Sequence, residues 1–277
     1  MTAAPAPGTP ATPAVAGVLF DLDDTLMDLR AAQLPAFTET VRAQWPEAPE
    51  EGAPAFAAAA EHFAADLGGH YPRYLAGELD FLGQRLARAR DALALLGAPA
   101  DREEPDAALW TDGYEERVRA HWRVFDDVVA ALAGLREAGV GVGIVTNNVE
   151  AYQRGKADAI GLADVAVLVG SDTAGAPKPD AAPFLEGCRR LGLDPADVAC
   201  VGDSLENDVR GAQAAGLVPV WLCRPATRAG EAGGAGPGVE APVWDAAERT
   251  WRITGLGALA AWFPAAGADL ASADRDV

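Results

Sequence analysis

The sequence predicts an α/β fold, a doubly wound parallel sheet carrying one inserted α-helical domain. Three observations point there. Five short valine-rich apolar runs recur along the chain, and helical patterns ending in glycine fall between them. One long segment almost without strand signal interrupts the alternation. Continuous apolar runs suit strands buried on both faces, and strand–helix alternation requires parallel neighbours joined by crossover helices.

The runs are VAGVLF (15–20), VGVGIV (140–145), VAVLVG (165–170), VACVG (198–202) and VPVWLC (218–223). Residues 127–138, 183–191 and 205–215 place apolar side chains at helical spacing, and Gly139, Gly192 and Gly216 follow as stops. Residues 28–123 are rich in Ala, Glu, Arg and Leu, with turn signals near 46–54, 68–69 and 97–105. This stretch reads as a helical insertion that leaves the sheet after the first strand and rejoins it before the second. The expected organisation is therefore a disordered tail at 1–14, a core from 15–27 and 124–277, and an inserted domain at 28–123. A Gly-, Ala- and Pro-rich stretch at 224–242 reads as a loose loop, and 251–263 resumes an apolar pattern that should pack back on the core.

Half of the 277 residues are hydrophobic, enough for a sizeable core, while the formal net charge is −19. So acidic a chain should repel nucleic acid and anionic membrane, both of which need basic patches. Any anionic substrate must be held by a local exception, a metal or a placed cation. Cys188, Cys200 and Cys223 show no CxxC spacing, so reduced and mostly buried thiols are expected. The N-terminus has neither the basic nor the apolar region of a secretory signal, and no stretch approaches the roughly 20 apolar residues of a membrane helix. These features fit a cytoplasmic protein.

In open parallel sheets, ligands bind beyond the carboxyl ends of the strands. Polar residues gather at those ends here. Asp21 and Asp23, in FDLDDTL, follow the first run, and two carboxylates so placed can divide labour as nucleophile and acid. Thr146 and Asn147 follow the second run and offer a hydroxyl and a backbone N–H. Asp203 follows the fourth, in GDSLEND, and Asp208 lies in the first turns of the next helix. Oxygen ligands of this kind suit magnesium, although Ser204 also reads as a helix cap. Lys178 sits between prolines in APKPD. The chain has two lysines against twenty arginines, so a lysine here looks chosen as a compact point charge. Lys156 lies in a polar helical stretch and reads as a surface residue.

Together FDLDDTL, IVTNN, APKPD and VGDSLEND, in that order, resemble the haloacid dehalogenase superfamily, whose members are mostly phosphatases. The resemblance covers roughly 15–27 and 125–223. It implies a Rossmann-like core, magnesium as cofactor and a small phosphorylated metabolite as substrate. It also implies residue roles. Asp21 would attack phosphorus, and Asp23 would protonate the leaving oxygen and then activate water. The Asp21 side chain, the Asp23 backbone carbonyl, Asp203 and Asp208 would hold the metal. Thr146, the Asn147 backbone and Lys178 would bind the phosphoryl group. By position, 28–123 matches the helical cap that many members carry, in which His70, Arg73, Arg85 and Arg88 are candidate substrate contacts. A dehalogenase usually lacks the second aspartate, and a phosphonate hydrolase needs a cap lysine, which is absent. A phosphomutase shares the core motifs, and a non-catalytic relative should have lost one of them.

Overall fold

The computed structural model describes residues 10–225 and 241–263. The chain divides into two compact units, one formed by Met1–Met27 with Val124–Val277 and the other by Asp28–Arg123. Most of the expected tail at 1–14 and of the loop at 224–242 lies outside the described residues.

The first unit is built on a seven-stranded sheet. Its strands are β1 (Gly17–Phe20), β2 (Gly141–Val145), β3 (Val167–Val169), β4 (Val198–Gly202), β5 (Val218–Leu222), β6 (Val243–Asp245) and β7 (Thr250–Ile253), in the order β3-β2-β1-β4-β5-β7-β6. All pairs are parallel except β6 with β7. β1 lies inside the sheet between β2 and β4, with Leu19 opposite Gly143 on one side and Cys200 on the other. Every residue of β1 and β4 is buried, which is why their sequences are apolar on both faces. Helices Val128–Glu137, Glu150–Ala159 and Ala182–Leu191 alternate with the strands. Val128, Leu132 and Leu135 give one of them a buried stripe, and Phe184 and Cys188 anchor another. A core cluster joins Leu19, Val145, Val169, Phe184, Cys188 and Cys200, and each fully buried large side chain contributes about 1.5–3 kcal/mol. The pair β6–β7 has no counterpart among the five predicted strands.

The second unit contains helices and no strand among the described residues. Leu29–Gln44 and Phe81–Leu95 begin at capping aspartates, Asp28 and Asp80, whose carboxylates accept from Ala31 N and Gly83 N. Phe37, Phe63 and Trp110 form its aromatic centre, with ring centroids 5.2 Å (Phe37–Phe63) and 5.4 Å (Phe63–Trp110) apart. Gln44 satisfies this core's polar needs. Its amide donates to Arg102 O and Glu104 O, and its carbonyl accepts from Asp106 N and Trp110 Nε1. Two of the four candidate substrate contacts belong to this interior. Arg88 is buried and donates to Phe63 O and Ala64 O. Arg85 is buried between Thr111 O and the Glu115 carboxylate, over the rings of Phe81 and Tyr114. His70 pairs with Asp91 at 2.6 Å, and exposed Arg73 pairs with Glu78.

Candidate active site

The ends of β1, β2 and β4 bring the polar residues together. The Asp21 amide donates to Val201 O, so the β1–β4 ladder delivers its side chain at the carboxyl edge of the sheet. The chain then turns sharply. Asp24 takes φ 60°, and its N–H closes the turn on Met27 O. β4 ends at Gly202, where a side chain would overlap the Asp208 carboxyl, so only glycine admits Asp208 so close to the strand. Ser204 caps the following helix by accepting from Asn207 N. That helix opens with a π-type turn, Leu205–Arg210, the kind of local bulge often found at functional sites. Here it carries Asp208 back towards β4, where the Asp208 carboxylate accepts from Ser204 N.

Carboxylate oxygens of Asp21, Asp203 and Asp208 lie within 4.8 Å of one another. Lys178 enters between two of them. Its Nζ donates to Asp21 Oδ1 at 2.6 Å, Asp208 Oδ1 at 2.6 Å and Val145 O at 3.0 Å. Asn147 fixes the lysine's own backbone, its side chain accepting from Lys178 N and donating to Lys178 O. Asp203 stands at the exposed rim, where its Oδ1 accepts from Thr25 Oγ1, its N–H donates to the same hydroxyl and its carbonyl accepts from Trp221 Nε1.

The electrostatics follow from this crowding. Burial drives the Asp21 carboxyl well above the usual carboxylate range; Lys178 opposes the rise, while Asp208 and Asp203 add to it. Desolvation and then the Asp208 charge push Asp203 up to about 6. Burial alone would lower the Lys178 ammonium, but Asp208 and Asp21 reverse this and raise it. Three carboxylates against one ammonium leave two negative charges when all are ionised. The donor set is all oxygen, partly open and short of positive charge, so it could hold a hard divalent cation.

A family model of the haloacid dehalogenase-like hydrolases matches residues 15–216. The chain belongs to this family. Among curated relatives, it is 30% identical to the glyceraldehyde 3-phosphate phosphatase of Methanopyrus kandleri, over 76% of this chain and 84% of that one. It is 35% identical to the phosphoglycolate phosphatase of Thiobacillus denitrificans, over 62% and 77%. The HAD-hydrolase YfnB from Bacillus subtilis, solved bound to magnesium, shares the fold with a TM-score of 0.61 at 23% identity, over 75% and 88%. The chain is thus a phosphatase-type hydrolase of the haloacid dehalogenase family.

Of the core residues singled out in the sequence, Asp21, Asp203, Asp208 and Lys178 form the cluster and Asn147 holds the Lys178 backbone, while Asp23 and Thr146 meet each other through Gln153. One reading needs correction. Lys156 is no surface residue: it is 3% exposed and donates to both Asp23 oxygens, at 2.7 and 3.1 Å. Gln153, fully buried one turn earlier, donates to Asp23 Oδ2 at 3.0 Å and to Thr146 Oγ1 at 2.7 Å. The sequence reading placed Lys156 on the surface and did not single out Gln153. The scarcity of lysine that marked Lys178 applied equally to Lys156 and was the available signal. None of the described helices is long and apolar enough to cross a membrane.

Proposed function

We propose that this hydrolase cleaves small phosphate monoesters in two steps through a phosphoaspartate on Asp21. The observation that carries the proposal is the buried meeting of Asp21 and Asp208 on the Lys178 ammonium, with Asp203 beside them at the open rim. The Asp21 side chain, the Asp23 carbonyl, Asp203 and Asp208 would hold magnesium. Once bound, magnesium supplies charge compensation for the phosphoryl oxygens beside these carboxylates. Lys178 adds a fixed cation, and Thr146 with the Asn147 backbone N–H offers donors to the same oxygens.

In the first step an Asp21 carboxylate oxygen bonds to phosphorus while the ester P–O bond breaks. The leaving oxygen takes its proton from Asp23. In the second step the Asp23 carboxylate removes a proton from water as the water oxygen attacks phosphorus. The P–O bond to Asp21 breaks, so that phosphate leaves and the Asp21 carboxylate is restored. Positioning and charge stabilisation supply most of the acceleration in such transfers. The helical unit Asp28–Arg123, inserted between β1 and β2, takes the part of the family's cap and supplies selectivity.

Relatives named for glyceraldehyde 3-phosphate, phosphoglycolate and phosphoserine support a small monoester and leave its identity to experiment. The test is phosphate release from a panel of such esters, with and without magnesium, beside Asp21→Asn. Magnesium-dependent turnover that disappears in the variant is expected. Persistence of turnover in Asp21→Asn would refute the covalent route. So would failure to cleave any monoester with magnesium bound.

A further inference from the structure

Twenty-two basic residues serve this chain, and two of them are lysines. Both lysines are buried, and each faces one of the aspartates of FDLDDTL: Lys178 on Asp21, Lys156 on Asp23. We propose that Lys156 and Gln153 are positioning residues that hold the Asp23 carboxylate in its working orientation, and that Gln153 also turns the Thr146 hydroxyl into a donor towards substrate. This rests on the reading of Asp23 as the acid–base group.

The geometry carries the inference. Residues 153 and 156 are separated by three positions on helix Glu150–Ala159, so their side chains share one face. That face is turned inward, with Gln153 and Lys156 buried beside Ala157. The two side chains together reach both oxygens of Asp23 from one side. Asp23 itself keeps 27% of its side chain exposed, against 4% for Lys156, so the carboxylate is gripped from behind and open in front. The amide N–H₂ is the end of Gln153 that faces the Asp23 carboxyl group, donating to its Oδ2. The same nitrogen then donates to Thr146 Oγ1. With its oxygen receiving that bond, the Thr146 hydroxyl proton is left to point elsewhere, towards a phosphoryl oxygen.

A purely structural role fits poorly. A buried ion pair seldom adds stability over apolar packing, because desolvation of both charges offsets their attraction. Gln153 also keeps its Oε1 buried without a hydrogen-bond partner, a cost that packing alone does not explain.

The experiment compares kcat/KM, which reads the steps up to departure of the leaving group, on two kinds of ester. One is 4-nitrophenyl phosphate, whose leaving group needs little protonation. The other is whichever of phosphoglycolate, phosphoserine and glyceraldehyde 3-phosphate the unaltered protein cleaves fastest. Lys156→Met should lower kcat/KM about 100-fold on the alkyl ester and less than about 10-fold on the aryl ester, the signature of a misplaced general acid. Lys156→Arg should keep at least about 10-fold more alkyl activity than Lys156→Met, since its cation can still reach the carboxylate. Gln153→Leu should show the same leaving-group bias together with a raised KM, because the Thr146 donor is lost. Each variant is assayed below its melting temperature, with near-UV circular dichroism as a check on fold. Equal losses on both esters in Lys156→Met would overturn the proposal, as would Lys156→Arg no better than Lys156→Met. Asp23→Asn separates the two levels. If it shows the leaving-group bias and Lys156→Met does not, only the positioning role fails. If Asp23→Asn lacks the bias, the acid–base reading fails and the positioning role with it.

Discussion

Replacing Lys178 by methionine keeps the volume near that of lysine and removes one charge at the most crowded point of the site. Lys178 is 3% exposed, and its three donors are all engaged, on Asp21, Asp208 and Val145 O. Asp21 and Asp208 are 8% and 2% exposed, so neither can turn to water when the ammonium is gone. Breaking a buried pair by deleting one partner costs about 3–5 kcal/mol. At about 2–4 °C per kcal/mol for a chain of this size, the melting temperature should fall by about 6–20 °C. The loss depends on pH with a definite sign. Removing Lys178 removes an influence that lowers the Asp21 pKa, which burial already holds high. The destabilisation should therefore grow as pH rises from 5 to 8 and shrink as pH falls and Asp21 takes up a proton. Magnesium should recover part of the loss at pH 8, because a cation between the same oxygens replaces the missing charge. The assay is thermal unfolding at both pH values, with EDTA or with magnesium. A shift at pH 8 below about 2 °C, or equal shifts at pH 5 and 8, would refute the assignment of Lys178 as the counter-ion of a strained acidic pair.

Three further outcomes are expected. Gly202→Ala places a methyl against the Asp208 carboxyl; it should weaken magnesium binding at least about 10-fold in calorimetry, with about 1–3 kcal/mol of lost stability from overpacking. In EDTA, the Asp203 carboxyl at about 6 stands above its ordinary 3.8, so the folded state holds this proton more tightly than the unfolded one. Its stabilising contribution is complete below about pH 4 and lost as pH rises through about 6, and Asp203→Asn should flatten that part of a denaturation-midpoint profile. Trp110→Ala removes a fully buried ring and orphans Gln44 Oε1 in part; it should cost about 3–5 kcal/mol by chemical denaturation, and Trp110→Phe distinctly less.

What was legible in the sequence was what the sheet imposes. β4 was readable to the residue, because a central strand buried on both faces must be apolar throughout, and its polar successor, Asp203, then stands out. β6 was invisible for the opposite reason. Val243–Asp245 is a three-residue edge strand with Val243 63% exposed, and its turn passes through Arg249 at φ 54° without the glycine or asparagine that marks such a site. Arg85 and Arg88, two of the candidate substrate contacts, lie in the interior of the second unit, since a long guanidinium side chain can satisfy buried carbonyls as well as meet a ligand. Arg88 does the former, on Phe63 and Ala64. Lys156 was missed through a rule applied where it does not hold. Polar residues on one helix face usually mark the solvent side, but helix Glu150–Ala159 turns Gln153 and Lys156 inward to an acidic site.

The same chemistry, an aspartate, occurs twice within three residues, and environment separates the two. Asp21 is nearly enclosed and shares its lysine with Asp208, so its carboxylate is raised in energy and aimed at whatever relieves the crowding. Asp23 has its own lysine, an amide donor and an open face. The first arrangement favours a nucleophile that gains by bonding to an electrophilic centre, and the second favours a group that exchanges protons with small molecules arriving from solvent. Exchanging the two environments would be harder than exchanging the residues. Lys178 is set by the APKPD loop and the Asn147 side chain, whereas Lys156 is set by a helix one crossover away. Two separately anchored cations, each a compact ammonium in a chain otherwise supplied with arginine, therefore give this acidic hydrolase a working asymmetry that the repeated aspartate alone does not contain.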